Sequence, residues 1–112
     1  MTWRQRGSKY HNRKVSLNGE TFDSLKEATR WKVLRSLQAT GQISGLEVHP
    51  RYKLLVNGHL IGHYEADFRY LVASDGQWVV EDVKSPITRR LPAYRLKVKL
   101  LKALYGIEIV ER

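Results

Sequence analysis

Three dipeptides constrain this chain most: Asn18-Gly19, Asn57-Gly58 and Asp75-Gly76 each stand between runs with strand character. Asparagine or aspartate followed by glycine accepts the positive φ of a two-residue hairpin turn, so each predicts a pair of antiparallel strands. The first pair is a short hairpin from Lys14-Val15-Ser16-Leu17 and Glu20-Thr21-Phe22. The second joins a strand over 51–56, opened by His49-Pro50, to one over 60–72 that bends at Gly62. The third joins that strand to one over 78–84. Three strands linked in series by tight turns form an antiparallel meander.

Helices are expected on either side of the meander. Ser24 is a good N-cap, Glu27 stands three residues later, and leucine, alanine and tryptophan continue to Ala39 before Gly41 ends the run. Pro86 and Pro92 bracket a basic loop, 93–105 reads as a second helix closed by Gly106, and 107–110 reads as a last strand. The order behind the hairpin is α-β-β-β-α-β. A right-handed crossover places the last strand parallel to the third, giving an α/β fold with a mixed four-stranded sheet flanked by helices. A chain of 112 residues without repeat or linker has room for one domain, expected over 15–112 behind a basic arm at 1–14.

Composition removes several classes. Cysteine is absent, so there is no disulfide scaffold, thiolate metal site or cysteine nucleophile. No apolar run approaches the roughly 20 residues that span a bilayer, and the polar, basic start does not resemble a secretory signal. The expected setting is the cytoplasm, with no membrane partner. Charge points the other way, towards a ligand. Lysine and arginine number 20 against 11 acids, a net charge of +9. Arg4, Arg6, Lys9, Arg13 and Lys14 fall in the first segment, and Arg89, Arg90, Arg95, Lys97, Lys99 and Lys102 in the stretch from Ser85 to Leu104, with no acid in either. A near-neutral body with two basic segments is the footprint of a polyanion binder, although a solvated basic surface has the same composition.

The second and third strands carry polar groups that chemistry explains better than packing. With the turn centred on Asp75-Gly76, Asp67 lies opposite Lys84, Arg69 opposite Asp82 and Leu71 opposite Val80. Asp67, Asp82 and Lys84 then converge on one face. A one-residue bulge would substitute Glu81 for Asp82. On a wheel at about 100° per residue, Glu27 shares the apolar stripe of Trp31, Leu34 and Leu37 that faces the sheet. It either folds back as a capping box on Ser24 or, beside two other acids, joins them as a metal ligand. Three carboxylates suit a hard divalent cation such as Mg²⁺, and a nearby lysine can orient or deprotonate an attacking water. The plainer alternative is an Asp67–Lys84 ion pair on an exposed sheet face.

These residues resemble a known family. Asp67 followed by Asp82-Val83-Lys84 on the next strand is similar to the signature of PD-(D/E)XK nucleases, and the expected αβββαβ order resembles their restriction-endonuclease-like core. The phrases Phe22-Asp23-Ser24-Leu25-Lys26-Glu27-Ala28, Ala66-Asp67-Phe68, Val80-Glu81-Asp82-Val83-Lys84 and Tyr94-Arg95-Leu96-Lys97 resemble a small phage-encoded branch. That branch is similar to transposase endonuclease subunits and archaeal-type Holliday-junction resolvases. Ala66 stands where the signature's proline would be, a position that varies and binds nothing. The resemblance implies that Glu27, Asp67, Asp82 and the Val83 carbonyl hold Mg²⁺ or Mn²⁺ and that Lys84 is catalytic. It also implies an auxiliary role for Lys97, which lies in the apolar stripe of its helix and could otherwise snorkel outwards. Hydrolysis of phosphodiesters to 5′-phosphate and 3′-hydroxyl ends is the implied reaction.

The expectation is therefore a metal-dependent endodeoxyribonuclease of phage DNA processing, selective for branched, junction or flapped DNA and acting in the host cytoplasm. The alternative is a non-catalytic nucleic-acid-binding module on the same scaffold. Arg4, Arg6, Lys9, Arg13, Lys14, Arg89, Arg90 and Arg95 are the expected phosphate contacts, and Trp3 and Tyr10 either stack on bases or pack on the core. His59 and His63 flank Gly62 in an extended segment, about 13 Å apart, too far for one metal. A homodimer is expected for two-strand cutting, with Val98, Tyr105 and the edge near Val110 as contacts.

Overall fold

The computed structural model describes residues 14–112. Along it run β1 (Val15–Leu17), β2 (Glu20–Phe22), α1 (Leu25–Ala39), β3 (Ile43–Val48), β4 (Arg51–Val56), β5 (His59–Glu65), β6 (Phe68–Val72), β7 (Trp78–Asp82), α2 (Pro86–Arg90), α3 (Pro92–Tyr105) and β8 (Ile109–Glu111). The fold is mixed α/β, built on a four-stranded sheet of order β3-β6-β7-β8 in which β8 runs parallel to β7 and the other pairs are antiparallel.

Local chemistry explains the helix ends. The Ser24 hydroxyl accepts the Glu27 amide at 3.1 Å, capping α1, and Gly106 closes α3 in the left-handed conformation. The expected basic loop between Pro86 and Pro92 is instead the short helix α2, because Ser85 caps the Thr88 amide and Pro86 occupies the first turn.

The meander is corrected in two ways. The strand at 51–56 does not enter the main sheet; β4 pairs with β5 as a separate two-stranded ribbon, and β3 takes the expected place beside β6. The long strand expected over 60–72 breaks at Ala66-Asp67, where the chain steps from ribbon to sheet. Backbone bonds make the step: the Ala66 amide donates to the Pro50 carbonyl at 2.9 Å, and the His49 amide donates to the Asp67 carbonyl at 2.9 Å. β3 hides in the sequence because its register slips between Ser44 and Glu47, with Gly45 at φ 64. A Cβ on Gly45 would sit 3.1 Å from the Trp78 ring, so both the turn of the backbone and the close approach require glycine there.

Two apolar clusters hold the layers. Phe22, Ala28, Trp31, Leu34, Ile43, Phe68 and Tyr70 pack between α1 and one sheet face. Leu54, Tyr64, Ala66, Val80 and Leu101 join the other face to α3 and the β4–β5 ribbon. The polar site lies where the ribbon, the sheet and the start of α1 meet.

Candidate functional site

The β6–β7 register differs by two residues from the one expected. Phe68 pairs with Glu81, Arg69 with Val80 and Leu71 with Trp78, which carries Asp67 opposite Asp82 instead of Lys84. The connection is longer than a two-residue turn, with the Val72 amide bonding the Gln77 carbonyl at 2.9 Å and Asp75 accepting the Gln77 amide. A slip of two leaves every side chain on its original face, so Asp67 and Asp82 still meet.

Asp67 is the hub. Its amide donates to Asp82 Oδ1 at 2.9 Å and to the Glu81 carbonyl at 3.1 Å, and its own Oδ2 accepts the Val83 amide at 2.6 Å. Val83 thus touches the site through its N–H. Asp82 is fully buried, accepts the Tyr64 hydroxyl on Oδ2, and has Lys84 Nζ 3.9 Å from Oδ1. On the α1 side, Glu27 is buried and its Oε1 meets His49 Nε2 at 3.2 Å and the Asp23 amide at 3.4 Å. The capping geometry and the site role coexist: Ser24 caps the Glu27 amide, while the Glu27 carboxylate points to His49. Ligand atoms of Glu27, His49 and Asp67 all lie within 4.8 Å of one another.

Burial governs the electrostatics. It pushes the Glu27 carboxyl up to about 7, with the Asp67 charge adding to the effect and His49 opposing it. It pushes Asp82 up to about 6, against the pull of Lys84 and the Tyr64 hydroxyl. Burial and the Asp82 charge also raise Tyr64, which keeps its proton and remains a donor. Among the described residues, three buried acids therefore face one lysine and one half-buried histidine. Such an excess of carboxylate fits a divalent cation, and oxygen donors on Glu27 and Asp67 suit it.

Residues 7–109 match the family model described as "Protein of unknown function (DUF1064)". The chain belongs to the DUF1064 family. Comparison with curated proteins and with solved structures gives no significant match. The stretch that matches DUF1064 contains Glu27, His49, Asp67, Asp82, Lys84 and Lys97, so the site lies within the region common to the family model.

Other expected residues fall in varied places in this DUF1064 chain. Lys97 lines a cleft of about 260 Å³ with His63, Tyr64, Glu65, Lys84, Ala93 and Tyr94, its stem passing 4.0 Å from where a Gly62 Cβ would stand. Arg90 and Arg95 are exposed and, with Lys99, line a surface depression. Arg89 is partly engaged within the fold: it lies 3.7 Å from Glu111 and donates to the Arg112 carbonyl at 3.0 Å, pinning the C-terminal strand. Lys14 is exposed beside β1, whereas Arg4, Arg6, Lys9, Arg13, Trp3 and Tyr10 lie outside the described residues. Of the expected dimer contacts, Val98 packs against the second cluster, Tyr105 is exposed although its hydroxyl bonds the Lys53 carbonyl at 2.7 Å, and Val110 is exposed on edge strand β8. No helix among the described residues is long and apolar enough to cross a membrane.

Sequence reasoning missed His49 as a site residue. It was visible only as the opening of a strand, and its role depends on β3, whose end delivers it beside Glu27. Glu81, the alternative acid, lies on the opposite face of β7, held by two bonds from Arg30 at 2.7 and 3.0 Å and by the Tyr70 hydroxyl at 2.5 Å.

Proposed function

We propose that this protein is a divalent-metal-dependent endonuclease of the PD-(D/E)XK type acting on DNA. The observation that carries the reading is that the Asp67 amide bonds Asp82 where β6 and β7 meet, with Lys84 3.9 Å from Asp82 and an oxygen of buried Glu27 within 4.8 Å of Asp67. The order helix, three antiparallel strands, helix and parallel strand supports a restriction-endonuclease-like core, with the β4–β5 ribbon inserted between its first two strands.

Glu27 and Asp67 would hold Mg²⁺ or Mn²⁺, with Asp82 beside them. The ion supplies charge neutralisation at the scissile phosphate and acidifies an attacking water. The protein's own groups set the rest. The Val83 and Asp23 amides fix the Asp67 and Glu27 carboxylates, and Tyr64 fixes Asp82, so the acids need little reorganisation. Lys84, half-buried and 3.9 Å from Asp82, is placed to orient or deprotonate water and to stabilise negative charge. The cleft of Lys84, Lys97 and His63, which also carries Glu65, adjoins Asp82 through Tyr64 and Lys84, and its two lysines suit the adjoining phosphate. Arg90, Arg95 and Lys99 extend positive charge along the α3 surface. Branched, junction and flapped substrates are the proposed DNA class, and cutting two strands would engage two copies.

The test is incubation of pure protein with branched, flapped and linear DNA in Mg²⁺ and in Mn²⁺, alongside Asp67→Asn and Lys84→Ala. Cleavage by the wild type and its loss in both variants is the expected result. Salt-dependent DNA binding without cleavage in either ion, unchanged in both variants, would favour the non-catalytic binding module instead.

A further inference from the structure

We propose that His49 is a direct metal ligand and that its imidazole makes the Glu27/His49/Asp67 site select a first-row transition ion, such as Mn²⁺ or Co²⁺, over Mg²⁺. The inference rests on the metal-dependent reading above and assigns the ion that the site takes.

The placement of His49 is built by the backbone. Its amide donates to the Asp67 carbonyl and the carbonyl of the next residue, Pro50, accepts the Ala66 amide, so the β3–β4 connection is laced to the break between β5 and β6. His49 sits at φ 57, a conformation unusual for a residue with a Cβ, and its ring rests 6.1 Å from that of Phe22. The result holds Nε2 next to Glu27 Oε1.

The spacing suits shared ligation. Two donors about 2.1 Å from one ion and at right angles lie roughly 3.0 Å apart. His49 Nε2 and Glu27 Oε1 are 3.2 Å apart, and Asp67 offers an oxygen within 4.8 Å of both. A small contraction brings all three onto one ion, whereas Asp82 has both oxygens engaged by the Asp67 amide and the Tyr64 hydroxyl. One imidazole among carboxylates changes the preference. Mg²⁺ favours oxygen and retains water, while nitrogen donors gain strength along the series from Mn²⁺ through Co²⁺. Ligation through Nε2 requires the neutral ring with its proton on Nδ1.

Calorimetry on the full chain would compare Mn²⁺, Co²⁺ and Mg²⁺, and spin-echo spectroscopy of bound Mn²⁺ would read the nitrogen directly. The expected results are tighter binding of Mn²⁺ and Co²⁺ than of Mg²⁺, and a ¹⁴N modulation that changes to a ¹⁵N pattern with labelled histidine. His49→Gly suits the positive φ and should weaken Co²⁺ by on the order of tenfold or more, with little change for Mg²⁺. His49→Asn, which also tolerates this backbone, should do the same and guards against a folding defect in the first variant. Bound Mn²⁺ with no nitrogen coupling, or an unchanged Co²⁺ to Mg²⁺ ratio in both folded variants, would overturn the inference and leave metal-dependent cleavage standing. Failure of every ion to bind would overturn both.

Discussion

Glu81 and Asp82 are neighbours on β7, both carboxylates and both fully buried, yet the two faces of the strand treat them in opposite ways. Glu81 faces α1, where Arg30 grips both oxygens, the Tyr70 hydroxyl donates, and Arg112 lies 3.4 Å away. Burial works against its charge, but these partners outweigh it and hold Glu81 below the usual carboxylate range. Asp82 faces the ribbon and α3, where its one cation among the described residues, Lys84, stands 3.9 Å off and burial raises its pKa. A buried acid with a full set of cations is a structural ion pair; a buried acid short of cations leaves negative charge beside the site and so favours a cation held by its neighbours.

The largest test of that difference is chemical. Asp82→Asn should reduce cleavage by on the order of a thousandfold or more, the scale of several kcal/mol of lost transition-state stabilisation. Glu81→Gln, where it folds, should cleave within a few-fold of wild type. Gel assays on both variants check this, and the contrast breaks if Asp82→Asn remains fully active.

Stability should reverse the ranking. Glu81→Ala strips the partner from Arg30 and Tyr70 and should cost about 3 kcal/mol, the scale of a broken buried pair. Asp82→Asn keeps the acceptor for the Asp67 amide and removes an under-compensated charge, so at pH 8 in chelator it should be no less stable than wild type. Denaturant titrations at that pH decide the matter. Equal losses in the two variants would mean that Asp82 is as structural as Glu81.

The pH profile separates the faces further. Glu27 at about 7 and Asp82 at about 6 lie above their ordinary values of 4.5 and 3.8, so the metal-free fold favours their protonated forms. Stability from these two groups is greatest below the ordinary values and falls as pH rises towards 7. Glu81 has the opposite sign: its contribution is present above 4.5 and is lost as pH falls through its depressed value. Melting curves in chelator should therefore decline from pH 5 to pH 8. Glu27→Gln or saturating Mn²⁺ should flatten that decline, and a profile unaffected by either would remove Glu27 from the proposed site.

The sequence was informative about these faces to an uneven degree. Helix α1 and the burial of Glu27 follow from local signals, a serine cap and apolar spacing, and the structure repeats them. The placing of Asp67 and Asp82 on one face survives a wrong register because strand faces depend only on parity. What local signals could not supply is long-range. Arg30 and Glu81 are distant in sequence, and nothing in either segment says that they meet. β3 is masked by the irregular backbone at Gly45, and without β3 neither the role of His49 nor the ribbon's separation from the main sheet can be seen. Arg89 has the composition of a phosphate contact, and only the C-terminal strand packed beside it reveals a structural use.

The smallest expected effect tests whether Asp82 is tuned as well as buried. The Tyr64 hydroxyl donates to Asp82 Oδ2, while its ring packs with Leu54, Val80 and Leu101. Tyr64→Phe keeps the ring and deletes the donor, so the fold should lose only about 1 kcal/mol. Without that bond the charged form of Asp82 is less favoured and its pKa rises further. The acid limb of the cleavage rate against pH should then move to higher pH, with the plateau rate lowered only a few-fold. An unmoved acid limb, with DNA binding intact, would show that Lys84 and the Asp67 amide alone set the charge of Asp82, and that this face of β7 has no third partner comparable to Tyr70 on the other.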